Sequence, residues 1–212
     1  MSGIVGSYFN TRGSGVVAKL GTDGQVFTST GAGLSQGFEA AAGGGKINQV
    51  VFGSLTTRYE TSTSDSWVDP GLSAAITPTA TDSRIFIMMN LGTIGQGTAN
   101  SGSIGMRIYR SGSGVTDGEI GIGTASGYSS YSLRGASFGE EWIGTSATYM
   151  GYPTGGVSWM DTTHAQTSAL TYKLQMINAA ATAFTLNGVH ATSTAEEYPS
   201  TVSTITLWEI LA

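Results

Sequence analysis

The residues that could carry chemistry in this chain are few and far apart. Gly33, Ser35 and Gly37 fit the G-x-S-x-G pattern, in which a serine nucleophile occupies a sharp turn between a strand and a helix. The turn makes the serine reactive only within a parallel sheet flanked by helices, and this sequence does not predict such a sheet. Because the chain holds 32 glycines in 212 residues, we interpret the match as a chance occurrence.

The two histidines, His164 and His190, are the candidate general bases. A catalytic base must contact its nucleophile and be oriented by a third group. Asp161 lies close to His164 in the sequence, and we interpret this pair as a turn contact rather than as half of a triad. Two histidines without a cluster of acids also predict no zinc site, and no disulfide or thiolate ligand is possible because the chain has no cysteine.

Two pairs of acids could suggest glycan cleavage. Glu140 and Glu141 are neighbours and would point to opposite faces of a strand, while Glu196 and Glu197 precede Pro199 in a predicted loop. A glycosidase needs two carboxyl groups facing each other across a cleft, at roughly 5–10 Å. We therefore interpret these acids as solvated charges, and we expect neither an enzyme nor a bound cofactor.

Composition and charge exclude several kinds of partner. Apolar residues make up 40% of the chain, enough for a core, but charged residues make up only 11%, against about a quarter in ordinary soluble proteins. The net charge is −5 and the nine basic residues are scattered, whereas nucleic-acid binding needs clustered Lys and Arg. The sequence also predicts no membrane span and no secretion signal, so we expect synthesis and use in a cytoplasm or release by lysis.

Residues 46–212 carry the pattern of an antiparallel β-domain. Short apolar runs alternate with turn residues and no amphipathic helix intervenes, which predicts a jelly-roll-like β-sandwich. Arg84 to Leu91 is apolar on both faces, which predicts a central strand. Leu170 to Ile177 alternates apolar and polar side chains, as a strand with one buried face does. Phe38 to Ala42 is at most a single helical turn.

Residues 1–45 predict an extended, Gly-rich arm that ends at Gly43–Gly45. Large side chains are too sparse there to offset the entropy of ordering so many residues. We expect the arm either to lie on neighbouring subunits or to be a plain disordered tail, and its regular apolar pairs favour the first alternative. The side chains expected to make these contacts are Val16, Val17, Val26 and Phe27.

Aromatic residues among glycines and serines form a second candidate surface. Tyr and Trp with small neighbours give large contact areas at low entropic cost. Core packing or subunit contacts would explain the same residues, and we favour those explanations over a receptor or glycan site. The residues concerned are Tyr128, Tyr131, Trp142, Tyr149, Tyr152 and Trp159.

Four stretches resemble bacteriophage virion proteins of the tail-fibre, head-fibre and decoration kind, marine ones especially. The opening Gly3-Ile4-Val5-Gly6-Ser7 with Arg12-Gly13-Ser14-Gly15, and the segment from Gly21 to Gly33 followed by Phe38 to Gly44, are similar to their N-terminal parts. Trp67 to Pro78 and the closing Ile205-Thr206-Leu207-Trp208-Glu209-Ile210 resemble their C-terminal β-domain. The resemblance covers both ends of the chain and carries no catalytic motif.

The resemblance implies an attachment segment followed by a knob that is commonly trimeric. Such proteins usually continue into a fibre shaft, for which this chain has little room, so a short knob, a head fibre or a capsid decoration is expected. We therefore expect a virion structural protein, a homotrimer attached to capsid or tail proteins by its arm. A capsid cement protein, and a module that binds a host receptor or carbohydrate, are the alternatives.

Overall fold

The computed structural model describes residues 46–63, 66–96, 104–123, 155–178, 183–188 and 200–212, together with the backbone of short strands outside these ranges. Every regular element among these residues is a β-strand, and every pairing is antiparallel. The prediction of an all-β fold is therefore confirmed.

Contacts divide the chain into two units, Met1–Lys46 and Ile47–Ala212. In the first unit, β1 (Tyr8–Phe9) pairs with β2 (Ala18–Lys19), and β3 (Gln25–Thr28) pairs with β4 (Gly37–Ala40). β4 occupies residues for which the sequence allowed at most one helical turn, because pairing with β3 satisfies their backbone groups instead. Whether this unit acts as an anchoring arm stays a prediction.

The second unit contains three antiparallel sheets. Its strands are β5 (Ile47–Leu55), β6 (Tyr59–Thr61), β7 (Ser73–Ile76), β8 (Arg84–Asn90), β9 (Ile94–Gln96), β10 (Ile104–Gly112), β11 (Gly118–Ile120), β12 (Ser137–Gly139), β13 (Met150–Tyr152), β14 (Gly156–Asp161), β15 (Leu170–Asn178), β16 (Phe184–Leu186) and β17 (Ser203–Ile210). Sheet A has the order β11-β10-β15-β7, with β12 also paired to β10; sheet B is β14-β8-β17-β5; sheet C is β13-β9-β16-β6.

The core lies between the inner faces of sheets A and B and extends to sheet C. In β15, Tyr172, Leu174 and Met176 are fully buried, while Lys173 and Gln175 between them point outward. This confirms the predicted alternation, which follows from the two-residue repeat of a strand. β8 pairs with β14 on one side and β17 on the other, so its predicted central position is also confirmed. β6, β9 and β14 were not predicted.

Two glycines lie where the edges of sheets A and B approach each other. At Gly53 in β5, an added Cβ would lie 2.5 Å from the carbonyl oxygen of Ser73 in β7. At Gly121, which follows β11 and has a φ of 65°, a Cβ would lie 2.6 Å from the indole of Trp159 in β14. Both contacts need a residue without a side chain, and one lies at each side of the sandwich.

Candidate interaction surface

The predicted contact residues are only partly among those that the structure describes. Val26 and Phe27 lie in β3, opposite Glu39 and Phe38 of β4. Tyr152 lies in β13, opposite Ile94. The remaining predicted arm and surface residues, apart from Trp159, lie outside the described residues: Val16, Val17, Tyr128, Tyr131, Trp142 and Tyr149.

Trp159 is the predicted surface aromatic whose side chain is described, and it is 45% exposed. It lies in β14 opposite Ile87 and covers the backbone of Gly121 at one side of the sandwich. Its indole therefore combines a packing role with an accessible face, which the sequence left as alternatives.

Most of the candidate catalytic residues also lie outside the described part of the chain. Ser35 and His190 are among them, as are the acid pairs at 140–141 and 196–197. Asp161 and His164 are described, and both are buried.

Asp161 is the centre of a hydrogen-bond cluster that joins sheets A and B. Its Oδ2 accepts hydrogen bonds from Arg110 Nη1 and from the Tyr172 hydroxyl, both at 2.8 Å. Its Oδ1 accepts from the backbone N–H of Thr163 at 2.9 Å and from the Thr163 hydroxyl at 3.0 Å. Arg110 and Tyr172 lie opposite each other in β10 and β15 of sheet A, whereas Asp161 ends β14 of sheet B.

The environment fixes the charge state of this cluster. Burial alone raises the pKa of Asp161, but the hydrogen bonds from Thr163, Arg110 and Tyr172 outweigh it, so that the pKa is lowered. Burial and the Asp161 charge raise the pKa of Tyr172 far above its ordinary value. The four side-chain partners are already engaged with one another, and Asp161 is 1% exposed, so this arrangement locks two sheets together rather than presenting a reactive group.

His164 has its own partners beside this cluster. The backbone N–H of Gln166 donates to Nδ1 at 3.2 Å, so the ring proton lies on Nε2, which donates to the carbonyl of Ser83 at 2.8 Å. The predicted turn contact between Asp161 and His164 is therefore not what the structure shows: Asp161 is the last residue of β14 and bonds to Thr163, whereas His164 bonds to Ser83 and Gln166.

Glu209 forms a second buried cluster at the end of β17. Its Oε2 accepts hydrogen bonds from the side-chain amides of Asn48 at 2.8 Å and Gln49 at 2.7 Å. Its Oε1 accepts from the backbone N–H of Thr79 at 2.6 Å and from the Thr79 hydroxyl at 3.0 Å. Burial raises the pKa of Glu209, but these donors outweigh it and lower the pKa to about 2. The carboxylate therefore ties β5 and the turn before β8 to β17.

Asn187 organises the opposite end of the core. Its amide nitrogen donates to the carbonyl oxygens of Leu55 at 2.7 Å and Thr57 at 3.1 Å, and its Oδ1 accepts from the Ser203 hydroxyl at 2.6 Å. Its φ is 67°, in the left-handed region where Asn is tolerated better than most residues. One side chain thus connects the segments after β5, after β16 and at the start of β17.

Replacing Asn187 by alanine is expected to lower the free energy of unfolding by about 2 kcal/mol, because three hydrogen bonds are lost and a Cβ remains at positive φ. Chemical denaturation measures this. Asn187→Gly loses the same hydrogen bonds without the Cβ, and should be less destabilised than Asn187→Ala. Two variants as stable as the wild type would show that the contacts contribute nothing.

The outer face of sheet A is polar, and its charges are paired. The Arg107 guanidinium lies 4.2 Å from the ring centroid of Trp67, donates to Gln175 at 2.8 Å and lies 3.6 Å from Glu119. Lys173 Nζ lies 2.9 Å from Asp69, and 5.3 Å from the ring centroid of Tyr109. The cations of this surface are thus already balanced by carboxylates and aromatic rings.

The outer face of sheet B carries an apolar patch, which includes the small polar side chains Ser158 and Thr206 and is bordered by Asn90, Thr204 and Ser54. Its outward side chains form rows across the four strands, and in one row Trp208 lies between Phe86 and Val50, with Phe86 and Trp208 ring centroids 5.4 Å apart. Phe52 in the next row is 66% exposed. We call this surface the apolar face; its apolar side chains are Ile47, Val50, Phe52, Phe86, Met88, Met160, Trp208 and Ile210.

The apolar face was not found from the sequence, although a signal was present. Arg84 to Leu91 is apolar on both faces, from which the sequence predicts a central strand but not which face stays open. Its inward residues Ile85, Ile87 and Met89 are buried in the core, whereas Phe86 and Met88 lie on the open side of the sheet and are only partly covered.

Comparisons with known proteins identify no relative of this chain from which a function could be proposed. No protein-family model matches the chain, and no curated protein shows significant similarity to it. Among the described residues, no group of three or more His, Asp or Glu side chains could hold a metal ion. Those residues also form no helix long and apolar enough to cross a membrane.

Proposed function

We propose that this chain is a non-enzymatic structural subunit of a bacteriophage particle, a short knob or decoration attached through residues 1–45. The observation that supports this best is the difference between the two outer faces of its sandwich. One face carries paired charges, and the other exposes the side chains of the apolar face. A subunit built into an assembly needs both, since large exposed apolar patches mark contact sites.

The family resemblance supplies the kind of assembly, a virion, and the expected number of copies, three. The buried Asp161 and Glu209 clusters are consistent with the same role. They hold the ends of strands together rather than facing solvent, and a chain without cysteine needs such links inside its core.

The attachment role of the first unit can be tested in the full-length chain. We expect Val16→Asp and Phe27→Asp to reduce incorporation into particles at least about tenfold, because a buried charge without a partner disfavours an apolar contact. Immunogold labelling of purified phage particles counts the copies. Ser29→Asp adds the same charge at a residue that is already polar and should be incorporated normally. Full incorporation of all three variants would contradict attachment through this segment.

A host-carbohydrate module is the second candidate, and the exposed indole of Trp159 is the observation that favours it. The two roles predict different results in an adsorption assay. A carbohydrate module should bind host cells as purified protein and compete with infection, and Trp159→Ala should abolish this binding. A structural subunit should leave adsorption unchanged.

A further inference from the structure

We infer that the apolar face of sheet B is covered by the same face of further copies of this chain. The inference deepens the proposed function, because it names the partner of one surface of the subunit. It is nevertheless tested on the purified chain. Self-association can therefore fail while the role in a phage particle holds, and the role in a phage particle can fail while self-association holds.

The charge distribution favours a second copy as the occupant. Among the outward residues of the four strands, Arg84 is the one charged side chain, and it lies at the end of β8, opposite Ile210. A partner with a charged surface would therefore meet almost no opposite charges on the apolar face. Two copies of a neutral surface meet without like-charge repulsion, even though each chain carries a net charge of −5.

The size of the face suits a small interface between copies. Four strands at ~4.8 Å and seven residues at ~3.3 Å give a footprint of about 19 by 23 Å, or about 440 Å². Side chains that project from this plane add to the accessible area. A standard interface takes ~800 Å² from each partner, so this face would contribute a contact at the lower end of the range.

The relief of the face suits contact with itself. One row carries the large side chains Phe86 and Trp208, and a row further along the strands carries the small Thr204 and Ser54. Facing sheets pack by inserting the side chains of one into the gaps of the other. In a dimer, a second copy turned end to end brings a row of large side chains opposite a row of small ones.

Sheet geometry limits the number of copies. Packed sheets lie ~10 Å apart, so each contributes about 5 Å of side chains. In a dimer, two faces meet this spacing when they lie against each other. In a trimer, three faces about 19 Å wide enclose a triangular prism whose axis is about 5.5 Å from each sheet, a distance that the side chains can fill. Four would place the axis about 9.5 Å away and leave a gap, so a dimer or a trimer is expected.

Sedimentation velocity of the full-length chain between 1 and 100 μM tests the inference. We expect a single species of two or three times the 21.8 kDa chain mass. Phe52→Lys places a charge on the apolar face and should weaken association at least about a hundredfold. Ala75→Lys places the same charge on the outer face of sheet A, at an exposed position of β7, and should leave the mass unchanged. Near-UV circular dichroism verifies that both variants are folded.

Cross-linking gives a second measurement that does not depend on the Lys variants. Because the chain has no cysteine, Thr206→Cys places a single thiol near the centre of the apolar face, between Met88 and Phe52. A short bis-maleimide should join copies through this thiol but not through Ala75→Cys. A monomer at all concentrations would overturn the inference. So would an oligomer that Phe52→Lys leaves intact, or one that cross-links at Ala75→Cys and not at Thr206→Cys.

Discussion

Replacing Asp161 by asparagine is expected to lower the free energy of unfolding by about 3–5 kcal/mol, because it leaves the Arg110 guanidinium buried without its counter-charge. Arg110 Nη1 bonds to Asp161 and Thr163, and Arg110 Nε is the one buried side-chain polar atom of the described residues without a partner. The remaining hydrogen bonds therefore cannot compensate for the lost carboxylate. Urea denaturation at neutral pH measures the difference.

Two further variants separate charge from hydrogen bonding in this cluster. Tyr172→Phe removes one hydrogen bond to the carboxylate and should cost about 1.5–3 kcal/mol. The triple variant Arg110→Met, Asp161→Leu, Tyr172→Phe removes both charges and the hydroxyl that bonds to the carboxylate, and should recover much of the loss, since an apolar replacement of a buried pair is often neutral. A change below about 1 kcal/mol for Asp161→Asn would show that the carboxylate charge of Asp161 does not stabilise the buried Arg110 guanidinium.

Acid is expected to destabilise the protein between pH 4.5 and pH 2. The pKa of Glu209 is lowered from 4.5 to about 2, so the unfolded chain takes up a proton at a higher pH than the folded chain. The stability that Glu209 contributes is therefore present above pH 4.5 and is lost as the pH falls toward 2. At about 1.4 kcal/mol per unit of pKa, the full loss is about 3.5 kcal/mol, of which about 3 kcal/mol is reached at pH 2. Asp161, whose pKa is also lowered, acts in the same direction.

Denaturation curves at half-unit steps from pH 7 to pH 2 measure this loss. Glu209→Gln keeps the size of the side chain but cannot titrate. It should be less stable than the wild type at pH 7, and its stability should fall less steeply below pH 4.5. Parallel curves for the two proteins would contradict the assignment of this acid sensitivity to Glu209.

The core could be predicted because its signal is local. In β15, Tyr172, Leu174 and Met176 alternate with polar residues along the sequence, because one face of the strand is buried and the other is open to solvent. β14 was missed for the opposite reason. Its residues Val157, Trp159 and Asp161 lie on the inner face of the strand, with Trp159 at its partly exposed edge. Because the three differ in polarity, the sequence shows no apolar alternation and resembles that of a loop.

The polar clusters could not be predicted, since their partners are distant in the chain. Arg110 and Asp161 are 51 positions apart, and Asn48 and Glu209 are 161 apart. Arg110 continues the two-residue alternation of Ile104, Met106 and Ile108, which places it on the inner face of β10. Nothing near it in the sequence indicates that Asp161 is the carboxylate it meets there.

The glycines at 53 and 121 have a consequence for how the protein can misassemble. An unpaired strand edge offers N–H and C=O groups to any passing extended segment, and this is how sheets fuse into fibres. At Gly53 β5 lies close against β7, and at Gly121 the indole of Trp159 from β14 lies against the residue after β11. Larger residues at either position would push the sheet edges apart and make their backbone groups available as templates. We therefore expect Gly53→Val to form amyloid-like fibres, seen as a rise in thioflavin T fluorescence under conditions in which the unchanged chain gives none.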